Sequence, residues 1–264
     1  MVRKAASLVL AVLAAAMLPA SAIAGAWTVP EGTGQVIVSG LYSEAMQAFG
    51  ADGEAVPIPL FRKAEISFYG EYGLTDALTA ILRSEAKTYA SGEALSPDAA
   101  RFGLSGGGAR LRLWEGSGAI LSAEIVGRVA TPFDRRARTE ERGGAVDFRL
   151  MAGKGFDVGA WPAFAEFQAA YRLGLGERDD AIIADVIFGL RPWPRLLLLA
   201  QSFNTLPLRR TGDGKDDPTE HKLQLSAVYD LNRRLSLQVG GVATMAGRDA
   251  LTERGLVTAL WFRF

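Results

Sequence analysis

Leu256-Val257-Thr258-Ala259-Leu260-Trp261-Phe262-Arg263-Phe264, the carboxy-terminal stretch, alternates without a break. Side chains point to opposite faces of a β-strand in turn. Leu256, Thr258, Leu260, Phe262 and Phe264 therefore share one face, and Val257, Ala259, Trp261 and Arg263 the other. The first face is apolar apart from one threonine and ends on an aromatic ring. Such a stripe suits a strand whose outer side meets lipid.

The same pattern recurs upstream. Over 62–72, Ala64, Ile66, Phe68, Gly70 and Tyr72 oppose Lys63, Glu65, Ser67, Tyr69 and Glu71. That length matches the roughly 9–11 residues of a tilted membrane strand, whereas strands in soluble sheets run nearer about five or six. Strands are predicted at 34–44, 62–72, 77–89, 102–114, 119–131, 145–156, 163–173, 181–191, 195–204, 220–230, 234–244 and 254–264. Short turns fall at 73–76, 115–118, 157–162, 192–194 and 231–233. Longer polar loops fall at 45–61, 90–101, 132–144, 174–180, 205–219 and 245–253. Alternating short turns and long loops are what an outer-membrane barrel shows at its periplasmic and extracellular ends. The expectation is an all-β fold, a single antiparallel up-and-down transmembrane barrel of twelve strands, with both termini at the short-turn end.

The amino terminus reads as an export signal. Arg3 and Lys4 precede an apolar run over 5–18, Pro19 breaks it, and small residues follow. The run is shorter than the roughly 20 residues of a membrane-spanning helix and fits a signal-peptide core. Cleavage is expected after Ala24, with Ala22 and Ala26 as alternatives. This divides the chain into a signal peptide over 1–24 and a barrel domain over 25–264. Without Arg3 and Lys4, the 29 basic residues fall to 27 against 29 acidic ones, which leaves no nucleic-acid footprint. There are no cysteines, and a closed hydrogen-bonded ladder needs no disulfides.

The closing strand, with Phe262 and the terminal Phe264, resembles that of Gram-negative outer-membrane barrels of the porin-like and transporter type. In that group this end is the insertion signal read by the barrel assembly machinery. The segments Phe68-Tyr69-Gly70-Glu71-Tyr72-Gly73-Leu74-Thr75-Asp76 and Arg191-Pro192-Trp193-Pro194-Arg195 resemble its periplasmic turns. Gly25-Ala26-Trp27-Thr28-x-Pro30-Glu31-Gly32-x-Gly34-Gln35 is similar to surface barrels of alphaproteobacteria, some with names linked to adhesion or polysaccharide export. The resemblance implies the cell outer membrane as location, and outer-membrane lipid, lipopolysaccharide and an unknown small solute as partners. Trp114, Trp161, Trp193, Trp261, Tyr72 and Tyr229 fall near the short turns, as an interfacial aromatic belt requires, although the inward parity of Trp261 also suits a place in the lumen.

Little in the chain suggests catalysis, and no catalytic residue, metal or cofactor is predicted. Gly103-Leu104-Ser105-Gly106-Gly107-Gly108 lacks the Lys-Ser/Thr and the following helix of a phosphate loop. Glycines in a barrel strand instead permit close approach of neighbours. His221 is the sole histidine, and its parity is lipid-facing. Ser226, five residues on, falls on the opposite face, a poor arrangement for a catalytic pair. Arg209 to Asp217 has the texture of a Ca²⁺ loop without its spacing. Arg135-Arg136-Ala137-Arg138 suits contact with lipopolysaccharide phosphates.

Parity places Lys63, Glu65, Arg83, Glu85, Lys87, Arg110, Arg112, Glu124, Arg128, Asp147, Arg149, Glu166, Arg172, Asp185 and Lys222 in the lumen, with Glu71 and Arg263. The late strands present Gln201, Gln224, Ser226, Ser236 and Gln238. Charges inside a barrel need water or mutual pairing. The first expectation is a channel or transporter for small polar solutes, anions among them, because inward bases outnumber acids on the same strands. The second is a non-conducting surface barrel supporting adhesion or polysaccharide export, and the third a barrel hydrolase using His221.

Overall fold

Each long alternating stretch forms a strand. The computed structural model describes residues 25–96, 100–130, 143–176, 178–208 and 218–264. Its long strands are β1 (Gly34–Phe49), β2 (Ala55–Thr75), β3 (Leu78–Ser91), β4 (Leu104–Gly116), β5 (Ala119–Ala130), β6 (Gly143–Val158), β7 (Trp161–Gly176), β8 (Asp180–Trp193), β9 (Leu196–Leu208), β10 (Thr219–Asp230), β11 (Leu235–Arg248) and β12 (Arg254–Arg263). Two short pieces, Arg101–Phe102 and Ala250–Leu251, extend the ladder beside β3 and β1. Every strand pairs antiparallel with its sequence neighbours. β1 pairs with both β2 and β12, so the sheet closes on itself. Closure leaves no open sheet edge, which the bilayer interior demands because no water is available there to satisfy one.

The outer face carries the apolar residues that parity assigns to it. Ile66, Leu82, Leu111, Leu113, Ile125, Phe148, Leu150, Phe167, Val186, Phe188, Leu225, Leu237 and Leu260 are exposed, while Phe68 and Leu78 are half-buried. Trp114, Trp161, Trp193, Tyr72 and Tyr229 are also exposed and form the belt. Trp261 does not belong to it. It is buried, and its indole N–H donates to Gln238 Oε1 at 3.0 Å inside the barrel. Inward parity, not sequence proximity to a turn, decides its place.

Strand ends depart from expectation at the long-loop end. The sequence predicts a loop over 45–61, but 45–49 and 55–61 continue β1 and β2, with a register shift between Ala45 and Gln47. Residues 174–176, 205–208 and 245–248 likewise extend strands. Outside the bilayer the ladder persists while the lipid-facing stripe is no longer required, so the period-two signal fades before the pairing ends. The opposite end is tight. Ser117 and Gly118 join β4 to β5 with φ of 51° and 72°, the pair of positive angles that a type I′ hairpin requires. At Gly108 a Cβ would lie 1.8 Å from the Ile125 carbonyl oxygen of β5, so the glycine run reflects close strand approach.

Candidate functional site

The interior is where this fold concentrates polar chemistry. Arg110, on β4, is almost wholly buried and sits at the hub. It donates to Glu124 Oε2 of β5 at 2.9 Å, Glu71 Oε2 of β2 at 3.3 Å and the Tyr69 hydroxyl at 2.9 Å. Arg83 of β3 donates to the other oxygen of Glu124 at 2.9 Å and lies over the Tyr69 ring at 5.3 Å. Further round the wall, Arg149 of β6 donates to Asp185 Oδ2 of β8 at 2.9 Å and also to Gln168. Arg128 and Arg172 share Asp147, at 2.9 Å and 2.7 Å.

Most of the remaining predicted lumen residues are paired as well. Lys63 pairs with Glu253 at 2.9 Å, Lys222 with Glu220 at 2.9 Å, and Lys87 with Glu85 at 3.9 Å. Arg112 pairs with Glu115 at the short-turn mouth. Glu65 lines the central cavity. The lipopolysaccharide contact expected of Arg135, Arg136 and Arg138, and the Ca²⁺-loop texture of Arg209 to Asp217, lie outside the described residues.

A cavity of about 560 Å³ occupies the lumen. One part of its wall carries Glu65, Tyr69, Glu71, Arg83, Arg110, Glu124, Arg149 and Asp185; amides of Gln35, Gln201, Gln224 and Gln238 add neutral polar groups. Another part is apolar, built from Ile37, Phe164, Ile187, Leu197, Leu199 and Trp261. The inward Leu197 and Leu199 are readable in the run Leu196-Leu197-Leu198-Leu199, which is apolar on both faces. Three arginines face four carboxylates in this cavity. The basic excess counted by parity is therefore absent from this cavity, because Lys63, Lys87, Arg112, Arg128, Arg172, Lys222 and Arg263 do not line it.

The amino-terminal segment supplies what strand parity does not show. Residues 25–30 turn into the barrel at the short-turn end. Ala26 and Val29 are buried. The Ala26 amide donates to Glu166 Oε2 at 2.9 Å, and the Ser122 hydroxyl donates to the Ala26 carbonyl at 2.6 Å. Arg110 donates to the Trp27 carbonyl at 3.0 Å, and the Val29 amide donates to Thr79 Oγ1 at 2.9 Å. The Thr28 hydroxyl donates to the Asp76 carbonyl at 2.7 Å. The Trp27 ring meets Phe164 edge-on at 5.8 Å and lies where a Gly153 side chain would be, 2.5 Å from its Cβ position. Gly25 borders the central cavity, whereas Trp27 to Pro30 border a second depression open to the short-turn mouth. The segment is thus a septum between the two.

His221 lies on β10 with its Nδ1 2.9 Å from Asn204 Oδ1; Asn204 in turn donates to Ser202 Oγ at 3.1 Å. Lys222 and Gln224 have the inward parity of Ser226, so His221 is on the outer face. Phe262 and Phe264 are exposed and stacked at 6.0 Å, with Phe264 also stacked on Tyr72 at 6.4 Å.

No family model matches the chain, and no curated protein matches it. Solved structures do. An outer membrane channel from Pseudomonas putida F1 is similar with a TM-score of 0.67 at 17% identity, covering 91% of this chain and 98% of that one. The NanC porin is similar with a TM-score of 0.53 at 8% identity, covering 86% and 98%. The translocator domain of the autotransporter NalP from Neisseria meningitidis has a TM-score of 0.52 at 10% identity, covering 88% of each chain.

Proposed function

From a fold that is the twelve-stranded barrel of Gram-negative outer-membrane proteins, we propose an outer-membrane conduit for small polar solutes that also carry an apolar part. The observation behind this reading is the central cavity, with an arginine–carboxylate and amide wall beside an apolar one. The first wall offers hydrogen bonds to a polar head, and the second accepts a hydrocarbon or ring. Its near-balanced charge supports only weak selectivity between anions and cations, since focusing depends on net charge. In this orientation the septum of residues 25–30 closes the periplasmic side.

The test is planar-bilayer conductance of refolded protein, alone and after deletion of residues 25–30. The wild type should give small, infrequent openings and the deletion a larger, steadier current. A second reading, a non-conducting surface barrel, is favoured by the pairing of nearly every inward charge. Inserted protein that passes no current with or without the segment would support that reading and end the first. No observation favours a hydrolase, because His221 contacts an asparagine on the outer face.

A further inference from the structure

Six carboxylates are buried among the described residues: Glu71, Glu124, Asp147, Glu166, Asp185 and Glu253. Five of them form an ion pair with an arginine or lysine. Glu166 alone has no such partner. Its contacts are the Ala26 amide and the Gln168 side-chain amide, two neutral donors for a group that is only 2% exposed. A buried carboxylate is costly to leave without a cation against it; Arg110 and Arg149 act on Glu166 only from a distance, whereas the other five each have a cation in contact.

Gly25 occupies the gap beside Glu166. A Cβ on Gly25 would lie 2.9 Å from Glu166 Oε1 and 2.8 Å from Gln168 Nε2. A side chain at this position would displace the carboxylate, and glycine lets it stay. The next amide along, that of Ala26, already bonds the other carboxylate oxygen.

We propose that export cleavage after Ala24 creates the missing cation: the α-ammonium of Gly25 seats against Glu166 inside the barrel and locks the septum in place. Signal-peptide hydrolysis supplies the chemistry. Water adds across the Ala24–Gly25 peptide bond, Ala24 leaves as a carboxylate, and the Gly25 nitrogen takes up protons to become an ammonium. The position of the cut is decisive. Cleavage after Ala22 would put the charge two residues away. Cleavage after Ala26 would remove the residue that Ser122 and Glu166 hold.

The test does not depend on whether the barrel conducts. Protein is purified from outer membranes, its mature start is read by intact mass, and its α-amine is acylated with an N-hydroxysuccinimide ester in folded and in denatured protein. The expected start is Gly25. The folded amine should react at least about tenfold more slowly than the denatured one, because an ammonium held in an ion pair is seldom the free base. Glu166→Gln should abolish that protection while leaving the heat-modifiable barrel intact. If E166Q fails to fold, insertion of one alanine between Ala24 and Gly25 takes its place; it shifts any ammonium by about 3.5 Å and should likewise restore reactivity. A mature start elsewhere, or an amine equally reactive in folded and denatured wild type, would overturn the proposal. Neither result would bear on whether the cavity passes solute, which the conductance experiment decides separately.

Discussion

Replacing Arg110 with methionine tests whether the interior is held by paired charge. The substitution keeps much of the stem and removes the guanidinium. Glu124 would retain Arg83 at 2.9 Å. Glu71 would keep only the Tyr69 hydroxyl at 2.8 Å and a long contact from Gln35 at 3.5 Å. One buried carboxylate is then uncompensated, a loss of about 3–5 kcal/mol. The bond to the Trp27 carbonyl disappears as well, for about 1 kcal/mol more. Urea unfolding of the refolded barrel in detergent, followed by tryptophan fluorescence and by gel mobility without heating, measures the loss. Adding Glu71→Gln removes the orphaned charge and should recover roughly 2 kcal/mol, giving a non-additive double-mutant cycle. Strict additivity, or a loss below about 1 kcal/mol for R110M, would refute the reasoning, because contacts between neighbouring buried charges must couple.

Three further outcomes are expected. Gly108→Ala should destabilise the barrel by at least about 3 kcal/mol, since its methyl would meet the backbone oxygen of Ile125 at 1.8 Å; a normal urea midpoint would contradict so close an approach of β4 and β5. Deleting Phe264 should lower the yield of heat-modifiable barrel in cells while the purified, refolded protein loses little stability; equal yields would remove its role as an insertion signal. Burial alone would push the Glu253 carboxyl up, but Lys63, Lys222 and hydrogen bonds from Lys63 and Ser43 hold it below its ordinary value. Its stabilising contribution is complete above the unfolded carboxylate range and is lost as pH falls through the lowered folded value. Proteolysis at 249–253 should therefore speed up between about pH 5 and about pH 3 in the wild type, measured with an acid-stable protease, and Glu253→Gln should be cut quickly at both.

Legibility follows from what the bilayer imposes. A membrane strand must alternate for its full span, so stretches such as 62–72 and 256–264 carry both their existence and their facing. Parity also separates Glu124 and Arg149, on the inside, from Ile125 and Phe148, on the outside. It says nothing of depth or partner. Arg128 and Arg149 are both inward, yet one bonds Asp147 and the other Asp185, and those choices depend on strand stagger. Residues 25–30 have no period at all. Their place depends on Thr79, Ser122 and Glu166, three side chains on three strands, between 50 and 140 residues away along the chain. Gly153 offers the one local hint, a missing side chain on an inward position that Trp27 fills.

The septum's strength can be reckoned from its contacts. Five hydrogen bonds tie residues 26–29 to the wall, worth about 1 kcal/mol each. Burial of Trp27 and Val29 adds about 2 kcal/mol apiece. Ordering residues 25–30 opposes this by about 1–1.5 kcal/mol per residue, so no more than about 3 kcal/mol remains. A segment held by that margin alone would be out of place at least about 0.6% of the time, tenfold more for each 1.4 kcal/mol below it, too often for a seal. Withdrawal would also leave Glu166, Ser122 and Thr79 to water entering the lumen, which lowers the cost of opening. The proposed ion pair between Gly25 and Glu166 would supply the margin that these contacts lack. With the proposed pair the segment would leave its place rarely, and without it often.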